Sequence, residues 1–516
     1  MKELLLGIDI GTSACKAAIF KKTGEVVASA CGDYQVYYPQ PGYAEQDPDD
    51  WWLAVCQATK ECIQKGNVNP ADLAGIGIAG QSWSAVAIDK PGNVLTRTPI
   101  WMDTRSSEIC DRLNREIGSE KIFQISGNSL TASYTTGKVL WYQENLPEVY
   151  KKTDKILQSN SFIAFRLTGK ISQDTCQSYA WHCFNIKTGQ WDDEMRKDLG
   201  IPGHFLPDIS SCHTVIGTVT RQAAQQTGLI EGIPVVAGGL DAACGALGTG
   251  VIHNGETQEQ GGQAGGMSIC TNTYKSDPRL ILSCHVVPGR WLLQGGTTGG
   301  GGVMRWLERE FADYERIMEK KSGKSPLVQL NEIAQRVTSG SDGLIFLPYM
   351  SGERTPIWDP DAKGVFYGLD FSKTKGHFVR AAMEGVAYSV RHNLEVAEAA
   401  GASAGVLRSM GGSANSLLWT QIKADITGRP IVIPDSDMAT TLGAVMLAGV
   451  GVGLYGDFQE AVDKTVIIRR EHIPNPEFKT VYDKNYEIYL ELYKNLRKTM
   501  KKSGGVQHEG SSCCKK

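Results

Sequence analysis

Short apolar runs that end in glycine-rich turns alternate along the chain with longer amphipathic stretches. The first run, Leu4–Ile10, leads into a turn at residues 11–13, and a second apolar run follows from Ala17. Apolar runs bounded by turn residues predict buried strands, here joined as a β-hairpin. The same strand–turn–strand pattern returns at residues 259–270. We therefore expect an internally duplicated α/β chain with two similar lobes around a cleft.

Helix signals follow the strands. Pro48 behind Asp47 predicts a helix that runs towards Lys65. Further helices are predicted to begin at Gly137, at Val303, at Leu417 and at about Pro476.

The C-terminal residues 496–516 are rich in lysine, glycine and serine, and they predict a disordered tail. Cys513 and Cys514 lie in this tail. Two thiols alone cannot supply a four-ligand zinc site.

Composition excludes several classes of protein. The 516 residues are enough for two or three domains. The 53 basic and 56 acidic residues nearly cancel, which predicts no nucleic-acid or membrane surface. The chain lacks an apolar window long enough for a membrane span, and we expect no signal peptide. The 13 scattered cysteines are typical of reduced thiols in the cytosol, so we expect a cytoplasmic protein.

The first hairpin carries residues suited to a phosphate group. Backbone amides of a turn such as Gly11-Thr12-Ser13 can cradle phosphate oxygens. Asp9, in the strand before the turn, can hold a magnesium ion through water. The alternative is an ordinary edge hairpin with a turn glycine. No strand–loop–helix phosphate-loop motif occurs in the chain.

The segment Gly75–Gly80 matches the glycine spacing of a dinucleotide-binding motif. Its glycines alternate with apolar residues, and another apolar run follows at residues 85–88. The motif requires a helix that opens inside the glycine pattern. We therefore interpret this segment as a strand whose glycines allow close packing, and a nicotinamide site is disfavoured.

Asp241 follows an apolar run and two glycines, and a stretch of small residues typical of a helix comes after it. A carboxylate at the end of a strand is well placed as a general base. Its alternative role is that of a helix N-cap, and the two roles are compatible.

Two further features predict ligand contacts. Asp103 and Arg105 follow a short strand and could face a polyol, or could form a salt-bridged helix cap. Glycine-rich segments at residues 295–302 and 410–415 each precede a helix. A glycine-rich entry to a helix is a platform for an anion or a nucleotide, although a flexible loop is the alternative.

Taken together, these motifs resemble the FGGY carbohydrate kinases of the actin/hexokinase-like superfamily. The resemblance covers roughly residues 1–495, and within the family the chain looks most like the xylulokinases. It rests on segments including Gly7–Ser13, Ala44–Pro48, Phe346–Pro356, Lys363–Leu369 and Ala424–Gly428.

The resemblance implies a two-lobed, ribonuclease H-like fold with duplicated mixed sheets flanked by helices around a central cleft. It implies an N-terminal domain over residues 1–248 and a C-terminal nucleotide domain over residues 249–495. It also implies ATP and Mg2+ as cofactors and transfer of the γ-phosphoryl group to a sugar hydroxyl. A homodimer is compatible with the sequence.

The roles of individual residues follow from the same resemblance. Asp241 matches the catalytic base, and Asp9 matches the acid beside magnesium. The positions expected near the nucleotide are Thr12, Ser13, Lys16, Gly262, Gln263, Gly301, Arg305, Gly411, Gly412 and Asn415. The positions expected near the sugar are Gln81, Ser82, Trp83, Asp103 and Asp241.

The chain departs from the xylulokinase pattern at three places. Gln81-Ser82-Trp83 replaces Gln-Met-His, and Ala242 replaces an asparagine after the catalytic acid. Residues 262–265 read Gly-Gln-Ala-Gly in place of Gly-Thr-Ser-Gly. The first two changes alter groups that meet the sugar, which favours a change in acceptor preference.

The favoured acceptor is D-xylulose, giving D-xylulose 5-phosphate. The alternatives are another ketose, a sugar acid or a polyol. A nucleotide-binding regulatory protein without sugar turnover is a further alternative.

Overall fold

The computed structural model describes residues 2–510, and they form two compact units. The first unit takes the chain up to residue 254 together with residues 270–293 and 438–467. The second takes residues 255–269, 294–437 and 468 onwards. The units are therefore interleaved along the sequence. A domain boundary after residue 248 remains a prediction.

The elements up to residue 254 are mainly short strands and helices. The strands are β1 Leu4–Ile10, β2 Ala14–Lys21, β3 Val26–Asp33, β4 Glu45–Gln46, β5 Leu73–Gly80, β6 Val86–Ile88, β7 Thr98–Pro99, β8 Lys155–Leu157, β9 Gln173–Asp174, β10 Phe184–Asn185, β11 Gln190–Trp191, β12 Ile209–Ser210, β13 Val215–Thr218, β14 Pro234–Val236 and β15 Gly239–Leu240. The helices are α1 Pro48–Gly66, α2 Ser107–Leu113, α3 Ser119–Ser126, α4 Thr135–Asn145, α5 Pro147–Lys152, α6 Ser159–Thr168, α7 Asp193–Asp198, α8 Arg221–Thr227 and α9 Asp241–Gly248.

The rest of the described chain contains longer helices. The strands are β16 Thr257–Gly261, β17 Gly265–Thr271, β18 Ile281–Cys284, β19 Trp291–Thr297, β20 Ile345–Leu347, β21 Val365–Tyr367, β22 Leu407–Met410, β23 Ile431–Pro434 and β24 Ile468–His472. The helices are α10 Gly301–Phe311, α11 Asp313–Ser322, α12 Pro326–Gln335, α13 Lys375–Ala399, α14 Leu417–Thr427, α15 Ala439–Gly451, α16 Phe458–Thr465 and α17 Lys479–Gly510.

The first unit is built on a mixed sheet with strand order β13-β14-β5-β1-β2-β3. Strand β1 pairs antiparallel with β2 and parallel with β5, so the first two strands form the predicted hairpin. Helix α1 begins at Pro48, and the Asp47 side chain caps it by accepting from the Asp49 amide. Its apolar face and the apolar strand residues form one buried core.

The segment Gly75–Gly80 is strand, as predicted, and its glycines permit close helix packing. A Cβ atom on Gly77 would collide with the carbonyl group of Ala444 in α15. Gly7 in the neighbouring β1 meets the same helix, at the carbonyl oxygen of Thr441. These glycines therefore bring α15 against the sheet, and no helix opens inside the glycine pattern.

The sheet of the second unit repeats this arrangement. Strand β16 pairs antiparallel with β17 and parallel with β22. Strand β22 pairs parallel with β23, and β24 is antiparallel to β23. The same sequence of pairings, from β2 through β1, β5 and β14 to β13, occurs in the first unit. The predicted duplication is thus present in the strand topology.

The prediction of a disordered tail from residue 496 is wrong over its first part, because α17 continues to Gly510. Leu496 packs against the core of the second unit, and Met500 is buried in it. A heptad-like spacing of apolar residues therefore extends the helix beyond the tyrosines. Cys513 and Cys514 lie outside the described residues.

Within residues 2–510, no helix is long and apolar enough to span a membrane. The cysteines between Cys15 and Cys284 are free thiols.

Candidate active site

Two carboxylates, Asp9 and Asp241, lie close enough in the first unit for the charge on Asp241 to raise the pKa of Asp9. Asp9 is near the end of β1, and Asp241 is the first residue of α9, directly after β15. Both β1 and β15 pair with β5, so their two ends lie on either side of the end of β5. The helix cap is Leu240, so Asp241 does not take the N-cap position.

Both carboxyl groups are half-buried, and burial raises their pKa values. The pKa of Asp9 rises to about 7, first because of burial and then because of the Asp241 charge. Lys16, the cross-strand partner of Asp9 on β2, opposes this shift. Burial raises the pKa of Asp241 to about 6, against the Ala242 amide, which donates to its Oδ1 at 2.6 Å. Carboxylates with such shifts are typical of functional sites.

Asp9 Oδ1 is buried and accepts no hydrogen bond from the described residues. No group of three or more His, Cys, Asp or Glu side chains among those residues could enclose a metal. Mg2+ is commonly held by one or two carboxylates, with water and substrate phosphates completing its shell. The unpartnered oxygen and the pair of raised pKa values fit a cation of this kind.

The turn after β1 is held by side chains from three other segments. The Gln46 amide donates to the Thr12 carbonyl at 2.7 Å, and the Trp101 indole donates to the Thr12 hydroxyl at 3.0 Å. Tyr34 donates to the Gly11 carbonyl at 2.6 Å. Ser13 is exposed, as is Lys16 on the following strand. The turn is therefore rigid, and its hydroxyl and ammonium groups remain accessible.

The segment after β5 presents polar atoms without protein partners. Gln81 is buried and donates to Gln46 at 2.7 Å, while its Oε1 accepts nothing within the described chain. The buried Trp83 indole N–H likewise has no acceptor there, and its ring lies 4.3 Å from that of Tyr134. Ser82, between them, contacts the Tyr179 hydroxyl. This segment therefore contains one buried acceptor and one buried donor without partners among the described residues.

Asp103 is fully buried and already satisfied. It accepts from the Ala44 amide at 2.7 Å and from the backbone and the guanidinium group of Arg105. Arg105 also pairs with Glu45 at 2.8 Å. The salt bridge that the sequence left open is formed, but it does not cap a helix.

The second unit contains a cavity of about 230 Å3. It is lined by Gly261, Gly262, Gln263, Gly301, Met304, Arg305, Leu327, Asn331, Met383, Gly412, Ser413, Ser416 and Trp419. Five of the residues predicted near a nucleotide, Gly262, Gln263, Gly301, Arg305 and Gly412, are among them. Gly411 and Asn415 are not in this lining, although Gly411 immediately precedes the lining residue Gly412 in the sequence.

The polar rim of the cavity is built by backbone contacts. The amides of Gly301 and Gly302, at the start of α10, donate to the carbonyls of Gly262 and Gln263 at 2.7 and 2.9 Å. A Cβ atom on Gly301 would lie 2.6 Å from the Gly262 carbonyl oxygen. The glycines thus allow the turn after β16 to sit directly on the helix start.

Sequence reasoning missed the apolar wall of this cavity. Met304, Leu327, Met383 and Trp419 come from four different helices, α10, α12, α13 and α14. Each looks like an ordinary core residue in its own helix. Only the packing of the four helices brings them around one cavity.

Comparisons with known proteins agree with this arrangement. Residues 4–248 match the model of the N-terminal domain of the FGGY family of carbohydrate kinases, and residues 243–452 match the C-terminal domain. The chain is 30% identical to a xylulose kinase of Staphylococcus epidermidis over 96% of this chain and 98% of the relative. It is 29% identical to a gluconokinase of Bacillus licheniformis over 99% of this chain and 100% of the relative.

A solved structure is equally similar. The crystal structure of a xylulose kinase from Rhodospirillum rubrum matches with a TM-score of 0.87 and 29% identity, over 96% of this chain and 99% of that one. With both family domains matched and the fold shared over nearly the full length, the chain belongs to the FGGY family of carbohydrate kinases and is a sugar phosphotransferase.

Proposed function

We propose that this kinase transfers the γ-phosphoryl group of ATP to a hydroxyl of D-xylulose, giving D-xylulose 5-phosphate. The observation that carries the proposal is the Asp9–Asp241 pair, with its raised pKa values and its unpartnered oxygen, beside the turn at residues 11–13. Phosphoryl transfer requires such positioned charges more than covalent chemistry.

In this proposal Asp241 is the catalytic base. Its carboxylate accepts the proton of the acceptor hydroxyl as that oxygen attacks the γ-phosphorus and ADP leaves. A pKa of about 6 keeps the group ionised at neutral pH yet basic enough to take a proton.

Kinases of this family use ATP with a divalent metal. We assign Mg2+ to Asp9, directly or through water, where it would neutralise charge on the phosphates. The turn amides, Thr12, Ser13 and Lys16 would contact phosphate oxygens.

The cavity of the second unit would hold the rest of the nucleotide. Its apolar wall suits a purine base, and its glycine-rich rim suits the ribose and phosphates. Gly262, Gln263, Gly301, Arg305 and Gly412 belong to this proposed site, with Gly411 and Asn415 close to it in sequence. A cleft that joins both sites remains a prediction.

The acceptor site is assigned to Gln81, Ser82 and Trp83. The free Gln81 oxygen and the free Trp83 N–H can pair with adjacent sugar hydroxyls. Asp103, being fully hydrogen-bonded, would support this site through Arg105 and the segment at residue 44 rather than by direct contact. The names of the relatives support xylulose first and gluconate second.

The test is ADP release coupled to a panel of acceptors: D-xylulose, another ketopentose, D-gluconate and glycerol. We expect the largest kcat/KM with D-xylulose. A larger value with D-gluconate would overturn the acceptor assignment and favour the sugar-acid alternative.

The role of Asp241 is tested by Asp241→Asn, which should lower kcat by about 10²–10⁴-fold while ATP still binds. The exposed Asp72→Asn is the matched control and should leave kcat unchanged. Substantial activity in Asp241→Asn would contradict its role as base.

A further inference from the structure

Helix α4 holds three consecutive carbonyl groups at the end of the proposed acceptor segment and just after it. Lys138 Nζ donates to the Trp83 carbonyl at 2.7 Å. The Thr135 hydroxyl donates to the Ser84 carbonyl at 3.0 Å, and the Tyr142 hydroxyl donates to the Ala85 carbonyl at 3.0 Å. One face of one helix therefore fixes the path of the backbone immediately after Trp83.

Trp83 needs this support because its backbone is in the left-handed region, at φ 60°. A bulky residue pays a steric penalty there and keeps the conformation only where its surroundings impose it. The conformation orients the indole against the Tyr134 ring, and Tyr134 directly precedes α4. Loss of the carbonyl contact would allow Trp83 to relax and move its N–H.

Lys138 is distinct from its neighbours because it joins two loops. Its second bond goes to the Ser133 carbonyl at 2.6 Å, so one ammonium group links the segment after β5 to the loop before α4. Both acceptors are neutral carbonyls. The residue is fully buried, although lysines in folded proteins are mostly exposed.

The buried surroundings of Lys138 disfavour its charged form. Burial lowers the pKa of the ammonium group to about 7, and Arg105 acts in the same direction. Asp103 favours the charged form, as does Cys110 to a smaller extent. In either protonation state the nitrogen carries at least two N–H donors, so one group can bond to both loops.

We propose that Lys138 is a positioning residue that fixes Trp83, and through it the acceptor-binding geometry of the kinase. The inference rests on the proposed acceptor site at residues 81–83 and adds a residue outside that site on which acceptor affinity depends. It concerns neither the phosphate turn nor the nucleotide cavity.

The experiment compares Lys138→Met with Tyr142→Phe in the full-length enzyme, using whichever acceptor of the panel is turned over best. Lys138→Met keeps the length of the side chain but removes every donor. We expect KM for the acceptor to rise about tenfold or more, with kcat within about threefold and KM for ATP unchanged. Tyr142→Phe should change acceptor KM by less than about twofold, because pairing of β6 with β8 holds the next residues independently.

A double-mutant cycle shows whether Lys138 acts through Trp83. If it does, Lys138→Met should add little to the effect of Trp83→Phe on acceptor KM. Additive effects would overturn the proposal, as would equal losses for acceptor and ATP in Lys138→Met, which indicate a general structural role.

Should Lys138→Met fail to fold, Lys138→Gln gives the same test, because its shorter amide retains donors but cannot span both loops. An unchanged acceptor KM in Lys138→Gln would then reject the proposal. Preference of the wild type for an acceptor other than D-xylulose would overturn only the acceptor assignment, since the comparison is made with the acceptor that is used.

Discussion

Both units carry a carboxylate shortly before a glycine turn, but the two carboxylates have opposite surroundings. In the first unit Asp9 lies before the turn at residues 11–13, lacks a hydrogen-bond donor at Oδ1, and has its pKa raised to about 7. In the second unit Glu259 lies before the turn at residues 262–264, pairs with Lys423 at 2.6 Å and accepts from Ser409. Both partners of that ion pair are 1% exposed.

The difference shows how one duplicated hairpin can serve two purposes. The strand and turn are the same in both copies, so topology alone does not distinguish them. An unneutralised carboxylate stores electrostatic free energy that a cation or a proton can release. A neutralised one ties structure together, because Lys423 also donates to Ser413, which lines the cavity of the second unit.

The two carboxylates should differ most in their effect on kcat. Asp9→Asn removes the charge that would face the metal and should lower kcat by about 10²–10³-fold. Glu259→Gln should leave kcat of the folded enzyme within about threefold. Steady-state assays at saturating substrate compare the two variants, and equal losses would mean that the carboxylates are functionally alike.

The free energy of unfolding should depend more on the Glu259 ion pair than on Asp9, the reverse of the order expected for kcat. Lys423→Met leaves the buried Glu259 carboxylate without its counter-ion and should lower the free energy of unfolding by about 3–5 kcal/mol. Denaturant titration of the variant and of the pair Lys423→Met, Glu259→Gln checks this. The double variant should recover part of the loss, and no recovery would show that the ion pair is not the cause.

The pH dependence of stability separates the two carboxylates further. Because the folded-state pKa of Asp9 is raised, its neutral form is favoured in the fold; the benefit is complete below about pH 4 and is lost as pH rises through 7. Asp9→Asn should therefore raise Tm at pH 8, by about 1–3 °C, and should have no such effect at pH 4. A lower Tm at pH 8 would contradict this, and Asp72→Asn serves as the control.

The smallest expected effect is on KM for ATP and concerns the turn at residues 262–264 of the second unit. The Gln263 side chain is exposed, while its carbonyl accepts from the Gly302 amide. Gln263→Ala should therefore change KM for ATP by less than about twofold. Gly301→Ala, whose Cβ would press on the Gly262 carbonyl, should raise it more. A larger rise in KM for ATP in Gln263→Ala than in Gly301→Ala would assign ATP binding to the Gln263 side chain rather than to the backbone of the turn.

Sequence patterns predicted the elements that local chemistry specifies. Asp47 and Pro48 mark the start of α1 because capping and proline geometry act within one turn. The alternation of glycine with apolar residues identified β5 correctly. These signals depend only on neighbouring residues.

Features that depend on tertiary packing were not predictable in this way. Lysines are mostly exposed in folded proteins, yet Lys138 is buried and bonds to the loop after β5 and to the loop before α4. The continuation of α17 past residue 496 depends on apolar contacts with the core of its unit. The cavity wall needs four helices to assemble.

The central claim is that Asp9 and Asp241 share one electrostatic site. It is tested most directly by carboxyl-carbon NMR titration of Asp9, assigned with Asp9→Asn, in the wild type and in Asp241→Asn. We predict that Asp9 titrates near pH 7 in the wild type and at a clearly lower pH once the Asp241 charge is removed. An Asp9 pKa that is the same in both proteins would contradict the claim.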